Sequence, residues 1–151
     1  MIHYFYLGIL VALSFFLNGC QDKKPTYLYL MLHPQYLQRE YNHCVEEVAD
    51  PALPCETILH AQADFTNLIN QREQEPEGFG ARILQAQENS ISLKRKFEAT
   101  LQAYHTLGSS KPSTADLAKM RVILDQAQAE YEKSKEIVKI LLAVIAATSL
   151  V

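Results

Sequence analysis

The chain has 151 residues, with 14 Lys and Arg against 17 Asp and Glu and a formal net charge of −3. That balance excludes a nucleic-acid binder that works by neutralising phosphates, which needs an excess of cations. Five Gly, six Pro and no Trp, beside abundant Ala, Leu, Gln and Glu, indicate an all-α protein, and no strand-period run of useful length interrupts the pattern.

No charged side chain falls within residues 1–20, so the net charge belongs entirely to residues 21–151. An apolar run beginning at Ile2 closes on Leu17, Asn18, Gly19 and Cys20. An apolar middle ending in small residues is the physical signature of an export leader, and the four closing residues resemble the lipobox at which bacterial lipoprotein precursors are acylated and cut. The resemblance implies a signal peptide over 1–19 and a chain that starts at lipidated Cys20, held to a membrane by its acyl groups. Gln21, where a retained lipoprotein has Asp, resembles precursors sorted to the outer membrane, facing the periplasm. The leader has no Lys or Arg before its apolar run, and Lys23 and Lys24 come after it. That charge order favours the alternative of an uncleaved membrane helix over residues 2–19, but the run only just reaches the span of about 20 residues a bilayer needs.

With Cys20 taken by lipid, Cys44 and Cys55 remain, an even pair in a compartment that oxidises thiols. They are expected to form one disulfide across the segment holding Asp50, Pro51 and Pro54, worth about 3 kcal/mol by the loop-entropy argument. His43, Cys44, Cys55 and His60 match no zinc spacing, so neither a metal nor a cofactor is expected.

Residues 20–33 are read as a lipidated tether. Within it Tyr27, Leu28, Tyr29, Leu30, Met31 and Leu32 form an apolar, aromatic run, expected to pack on the next helix, with lipid headgroups as the alternative contact. Pro34 suits a first helical turn, and Tyr36, Leu37, Tyr41, Cys44, Val45 and Val48 recur at helical spacing until Pro51 stops them. A second helix is expected from about Cys55 to Arg72, with Ile58, Leu59, Ala61, Ala63, Phe65, Leu68 and Ile69 on its apolar side. Together these make a disulfide-stapled head over 34–75, bounded by the charged, Pro- and Gly-containing stretch Glu73 to Gly78.

Residues 80–151 read as a long antiparallel, coiled-coil-like hairpin. Ile83, Ala86, Ser90, Leu93, Phe97, Thr100, Tyr104 and Leu107 recur in 3,4 steps, as do Leu117, Met120, Leu124, Ala127, Tyr131, Ser134, Val138, Leu141, Ile145 and Thr148. Gly108 stands where a helix stop favours glycine, and Ser113 or Thr114 can cap the second helix with Asp116 in its first turn. A short connection implies antiparallel neighbours, each about 40 Å long. The seam is narrow and partly polar, so the hairpin wants more cover; the head would supply it in a four-helix bundle, or another protein would. From Ile137 onward the helix is apolar all round, as buried helices are, and too short to span a bilayer. Leu141, Leu142, Val144 and Ile145 are therefore expected to meet a protein partner or a second copy.

The chain carries no Gly-rich phosphate loop, no nucleophile elbow and no His-Glu metal helix motif, and it reads as a protein without catalytic activity. The order from Cys20 onward (a Tyr-containing tether, Tyr29 through His33-Pro34, Leu37, Cys44, then a Pro-containing segment to Cys55) is similar to the small entry-exclusion lipoproteins encoded with conjugative type IV secretion systems. The likeness covers residues 1–63, Glu56-Thr57 stand where that family commonly has Asn-Ala, and the hairpin lies outside its usual length. It implies an envelope protein that limits redundant plasmid transfer through protein contacts. The hairpin raises the alternative of a scaffold subunit in a multi-protein secretion complex.

Overall fold

Two residues that precede proline set the joints of the head. The pyrrolidine ring pushes the residue before it out of the helical region. His33 (φ −127°, ψ 73°) and Glu75 (φ −135°, ψ 68°) accordingly adopt nearly the same non-helical geometry. Each next residue is a proline that opens a helix, where its missing N–H leaves nothing unpaired. The computed structural model describes residues 25–46, 53–110 and 112–148. The N-terminal apolar run expected to be a leader, the lipobox-like Leu17 to Cys20, Val48, Asp50, Pro51 and the end of the C-terminal apolar run lie outside them. The described chain forms five helices: α1 (Tyr27–Leu32), α2 (Pro34–Glu46), α3 (Cys55–Gln74), α4 (Pro76–Ser109) and α5 (Thr114–Thr148). Among the described residues there is no strand.

Several boundaries differ from the sequence reading, each for a local reason. The tether does not extend to His33: Thr26 caps α1 by accepting the Tyr29 N–H at 3.2 Å, and Leu30 and Met31 are buried. The Glu73 to Gly78 boundary shrinks to one residue, because the Glu75 N–H still reaches the Gln71 carbonyl (2.9 Å) while its own carbonyl already accepts from Phe79 (2.8 Å). Gly78 lies inside α4. Gly108 does not end that helix either; Ser110 closes it, its N–H and hydroxyl both donating to the Leu107 carbonyl at 3.0 and 2.8 Å. The expected cap of α5 is present, the Asp116 N–H donating to the Ser113 hydroxyl (3.1 Å), which donates in turn to the Asp116 carboxylate (2.7 Å). With α4 starting at Pro76, the hairpin helices have 34 and 35 residues, about 50 Å at 1.5 Å per residue rather than 40 Å.

The disulfide joins Cys44 near the end of α2 to Cys55 at the start of α3, with their Cα atoms 5.6 Å apart. Beneath it one core draws on all five helices: Leu30 and Met31, Leu37, Ile58, Ala61 and Phe65, Phe79, and Leu141 and Val144. The short α1 touches α2, α3 and α5 and so wedges the head onto the hairpin. Head and hairpin are therefore not independent.

The core takes from the hairpin only its base, where Phe79, Ile83 and Ala86 face Ile140, Leu141, Val144 and Ala147. Above the base the two helices cover each other along the predicted seam. Every described seam position from Ile83 to Leu107 and from Leu117 to Leu141 is at least partly buried, with Ala127, Ser134 and Leu141 buried. The antiparallel register is fixed by the Ser90 and Ser134 hydroxyls at 3.1 Å, the Lys96–Glu130 ion pair at 2.7 Å and the Phe97–Tyr131 stack at 6.1 Å. Hydrogen bonds from Lys96 and Gln126, with the Lys96 charge, hold the Glu130 carboxyl below its ordinary pKa.

Replacing Cys44 and Cys55 together by Ala should lower stability by about 3 kcal/mol, read as a drop in the midpoint of urea unfolding monitored by circular dichroism. The same assay should separate two neighbours on α5. Leu141→Ala, which opens a cavity in the core, should cost about 2–5 kcal/mol, whereas Leu142→Ala, at an exposed position, should stay within about 0.5 kcal/mol of the parent.

Candidate functional site

The four residues expected to meet a partner are divided by the fold. Leu141 is 1% and Val144 0% exposed; both are consumed by the protein's own core and are withdrawn as contact residues. Leu142 and Ile145, at 45% and 40%, remain on the surface. The reason is rotational. Each residue turns a helix by about 100°, so Leu142 and Val144 point to opposite flanks of α5, and only one flank meets the head. An all-round apolar helix thus has one side satisfied internally.

A second surface lies on the head. Tyr29 on α1 sits against His33 with ring centroids 4.2 Å apart and meets Tyr36 of α2 edge-on at 5.3 Å. Arg39 continues the series, its guanidinium 4.6 Å from the centre of the Tyr36 ring. Tyr29, His33 and Arg39 are exposed and Tyr36 half-buried. Arg39 also donates from Nε and Nη2 to the buried carboxylate of Glu40, at 3.3 and 3.2 Å, so the stack is fixed at its basal end. Residues 29, 33, 36 and 39 succeed one another at steps of four, three and three, which keeps them on one face despite the break at His33. That spacing is present in the sequence, yet the sequence reading does not single out the stack. Tyr and Arg are the side chains that most often dominate binding energy at protein interfaces.

Between head and hairpin runs an open cleft of about 290 Å³, floored by Met31, Leu68, Ile140 and Leu141 and edged by Tyr27, Asp64 and Arg82. At its rim the Tyr27 hydroxyl donates to Asp64 at 2.5 Å, and Arg82 donates to the Gln71 side-chain carbonyl at 2.6 Å. His60 lies 3.7 Å from the same Asp64 carboxylate. Nothing in the sequence pairs Tyr27 with Asp64, which are 37 residues apart. Cys44 and Cys55 are joined to each other, so neither thiolate is free to ligate a metal. Among the described residues no group of three or more His, Cys, Asp or Glu is placed to hold an ion, and no described helix is long and apolar enough to cross a membrane.

Compared with family models, curated proteins and solved structures, the chain finds no match.

Burial of the phenol, the hydrogen bond to Asp64 and that carboxylate's charge together push Tyr27 up to about 12 from 10.0. Because the folded state holds this proton more tightly, the contribution to stability is complete below pH 10 and is lost as pH rises from 10 towards 12. An ultraviolet titration of phenolate formation should show one tyrosine ionising late. Tyr27→Phe should remove that late step and flatten the fall in stability over the same interval.

Proposed function

We propose that this protein is a lipid-anchored component of the bacterial envelope, periplasm-facing and attached through Cys20, that acts without catalysis by binding other envelope or secretion-system proteins. The most concrete form of the reading is exclusion of incoming conjugative transfer. Support comes from the lipobox-like Leu17 to Cys20 and from the match of Tyr29, His33-Pro34, Leu37, Cys44 and Cys55 to the entry-exclusion pattern. Each of those positions from Tyr29 onward has a physical role: the pattern folds a stapled head whose outward residues are Tyr29, His33, Tyr36 and Arg39. That fixed aromatic and cationic stack is the observation that carries the proposal, since a rigid Tyr and Arg surface binds with little ordering cost.

The scaffold reading is favoured by a different observation. Large aliphatic side chains remain exposed along the hairpin, among them Leu84, Ile91, Leu142 and Ile145, and these would suit insertion into a larger assembly.

Point variants test the choice better than truncation. Removing residues 80–151 would take Leu141 and Val144 from the core of the head and so unfold the head as well. Recipient cells carrying the protein should receive a related plasmid less often than cells without it. Tyr29→Ala, Tyr36→Ala and Arg39→Ala together should return transfer to the level of cells without the protein, with membrane attachment intact. Unaltered exclusion by this triple variant would reject the head as the binding surface, and no exclusion by the parent chain would reject the function itself.

A further inference from the structure

The cleft between head and hairpin has an apolar floor and two unlike ends. Helices α1, α3 and α5 supply the floor through Met31, Leu68, Ile140 and Leu141, and α4 supplies Arg82 at the rim. On α3, Asp64, Leu68 and Gln71 succeed one another at steps of four and three, on one face. The residues that mark the two ends, Asp64 and Gln71, therefore stand about 10 Å apart along the helix with Leu68 between them.

The Asp64 end is satisfied from within the chain, because its carboxylate accepts the Tyr27 hydroxyl at 2.5 Å and lies 3.7 Å from His60. The Arg82 end is not. Asn67 Oδ1 accepts from Gln71 Nε2 at 3.3 Å, and Gln71 Oε1 accepts from Arg82 Nη1 at 2.6 Å, so two neutral amides hold the guanidinium at the rim. Among the described residues no carboxylate pairs with Arg82, and Glu75, which shares an adjoining hollow with it, is no exception. The Nε–Nη2 edge, of the kind that grips a carboxylate in two parallel bonds, has no partner there either. The positive charge is positioned but not compensated.

We propose that this cleft binds a free medium-chain fatty acid, with its carboxylate on the Nε–Nη2 edge of Arg82 and its alkyl chain laid over Leu68, Met31 and Leu141 towards Tyr27. Charge selects an anion, and the planar fork of the guanidinium suits a carboxylate. The floor selects an alkyl chain, which would also cover Ile137, 43% exposed at the wall of the cleft. Size sets its length. The volume of about 290 Å³ is about ten times the roughly 30 Å³ share of a water molecule in the liquid, and a methylene is of like size, so a chain of about eight to ten carbons fills it. A zwitterion is disfavoured, since the Asp64 carboxylate is already engaged by Tyr27.

The test uses membranes carrying the full chain, without detergent, and decanoate bearing a diazirine at its methyl end, with the sites labelled on irradiation mapped by mass spectrometry. Label should concentrate on the floor and wall of the cleft, around Met31, Leu68 and Ile137 to Leu141. Unlabelled decanoate should compete, whereas decyltrimethylammonium, of equal chain length and opposite charge, should not. Arg82→Gln, at an exposed position, should keep the helicity of the parent and raise the probe concentration for half-maximal labelling by about tenfold. Arg82→Lys, which keeps the charge and loses the fork, should fall between the two, and Arg95→Gln, away from the cleft, should match the parent. Label spread evenly along the chain, equal competition by the cationic amphiphile, or Arg82→Gln labelled like the parent would overturn the proposal. None of these outcomes depends on plasmid transfer, so this inference and the exclusion reading can fail separately.

Discussion

Everything in this structure rests on the contact between the two ends of the described chain. Leu30 and Met31 on α1 and Leu141 and Val144 on α5 are more than a hundred residues apart in the sequence, yet they share one core with Leu37, Ile58, Phe65 and Phe79. Without α5, the three short helices of the head have a disulfide but too little apolar surface to bury. Without the head, the base of the hairpin exposes its most apolar turns. A small helical protein of this size has little stability to spare, and here neither half holds a separate reserve. The staple between Cys44 and Cys55 constrains the open chain, but the hydrophobic contact is what makes the head and hairpin one body.

The periodic parts of the fold are legible in the sequence because periodicity is a local property. The 3,4 steps from Ile83 to Leu107 and from Leu117 to Leu141 mark the buried stripe correctly, since a residue's place on a helix depends only on its neighbours and the pitch. The disulfide is legible once Cys20 is set aside at the lipobox-like stretch, which leaves Cys44 and Cys55 as a pair. The joint at Glu75 is harder, because a Pro that cuts a helix and a Pro that opens one look alike until it is known whether the preceding carbonyl finds a donor. Here Phe79 supplies it. What stays out of reach is tertiary. The run Leu141, Leu142, Val144, Ile145 reads as uniformly apolar, and only the position of the head shows that two of the four are already spoken for.

The surfaces left over after folding differ in chemistry, and that difference organises the functional reading. On the head, aromatic rings and a guanidinium are locked against one another by stacking and by the buried Glu40 carboxylate. On the outer hairpin the exposed groups are aliphatic, bordered by lysines and glutamates. A rigid amphipathic stack suits a contact that must discriminate between partners, whereas a long aliphatic flank suits one of extended area. The two surfaces lie on separate elements of the fold.

The one core that closes over both ends also sets a schedule for folding. Helices α4 and α5 are rich in local contacts and can form early, but the pocket that α1 occupies is incomplete until the chain has been made through Val144. Contacts of such long sequence separation come late and slowly. During nearly all of its synthesis the polypeptide therefore lacks the contact that joins head to hairpin.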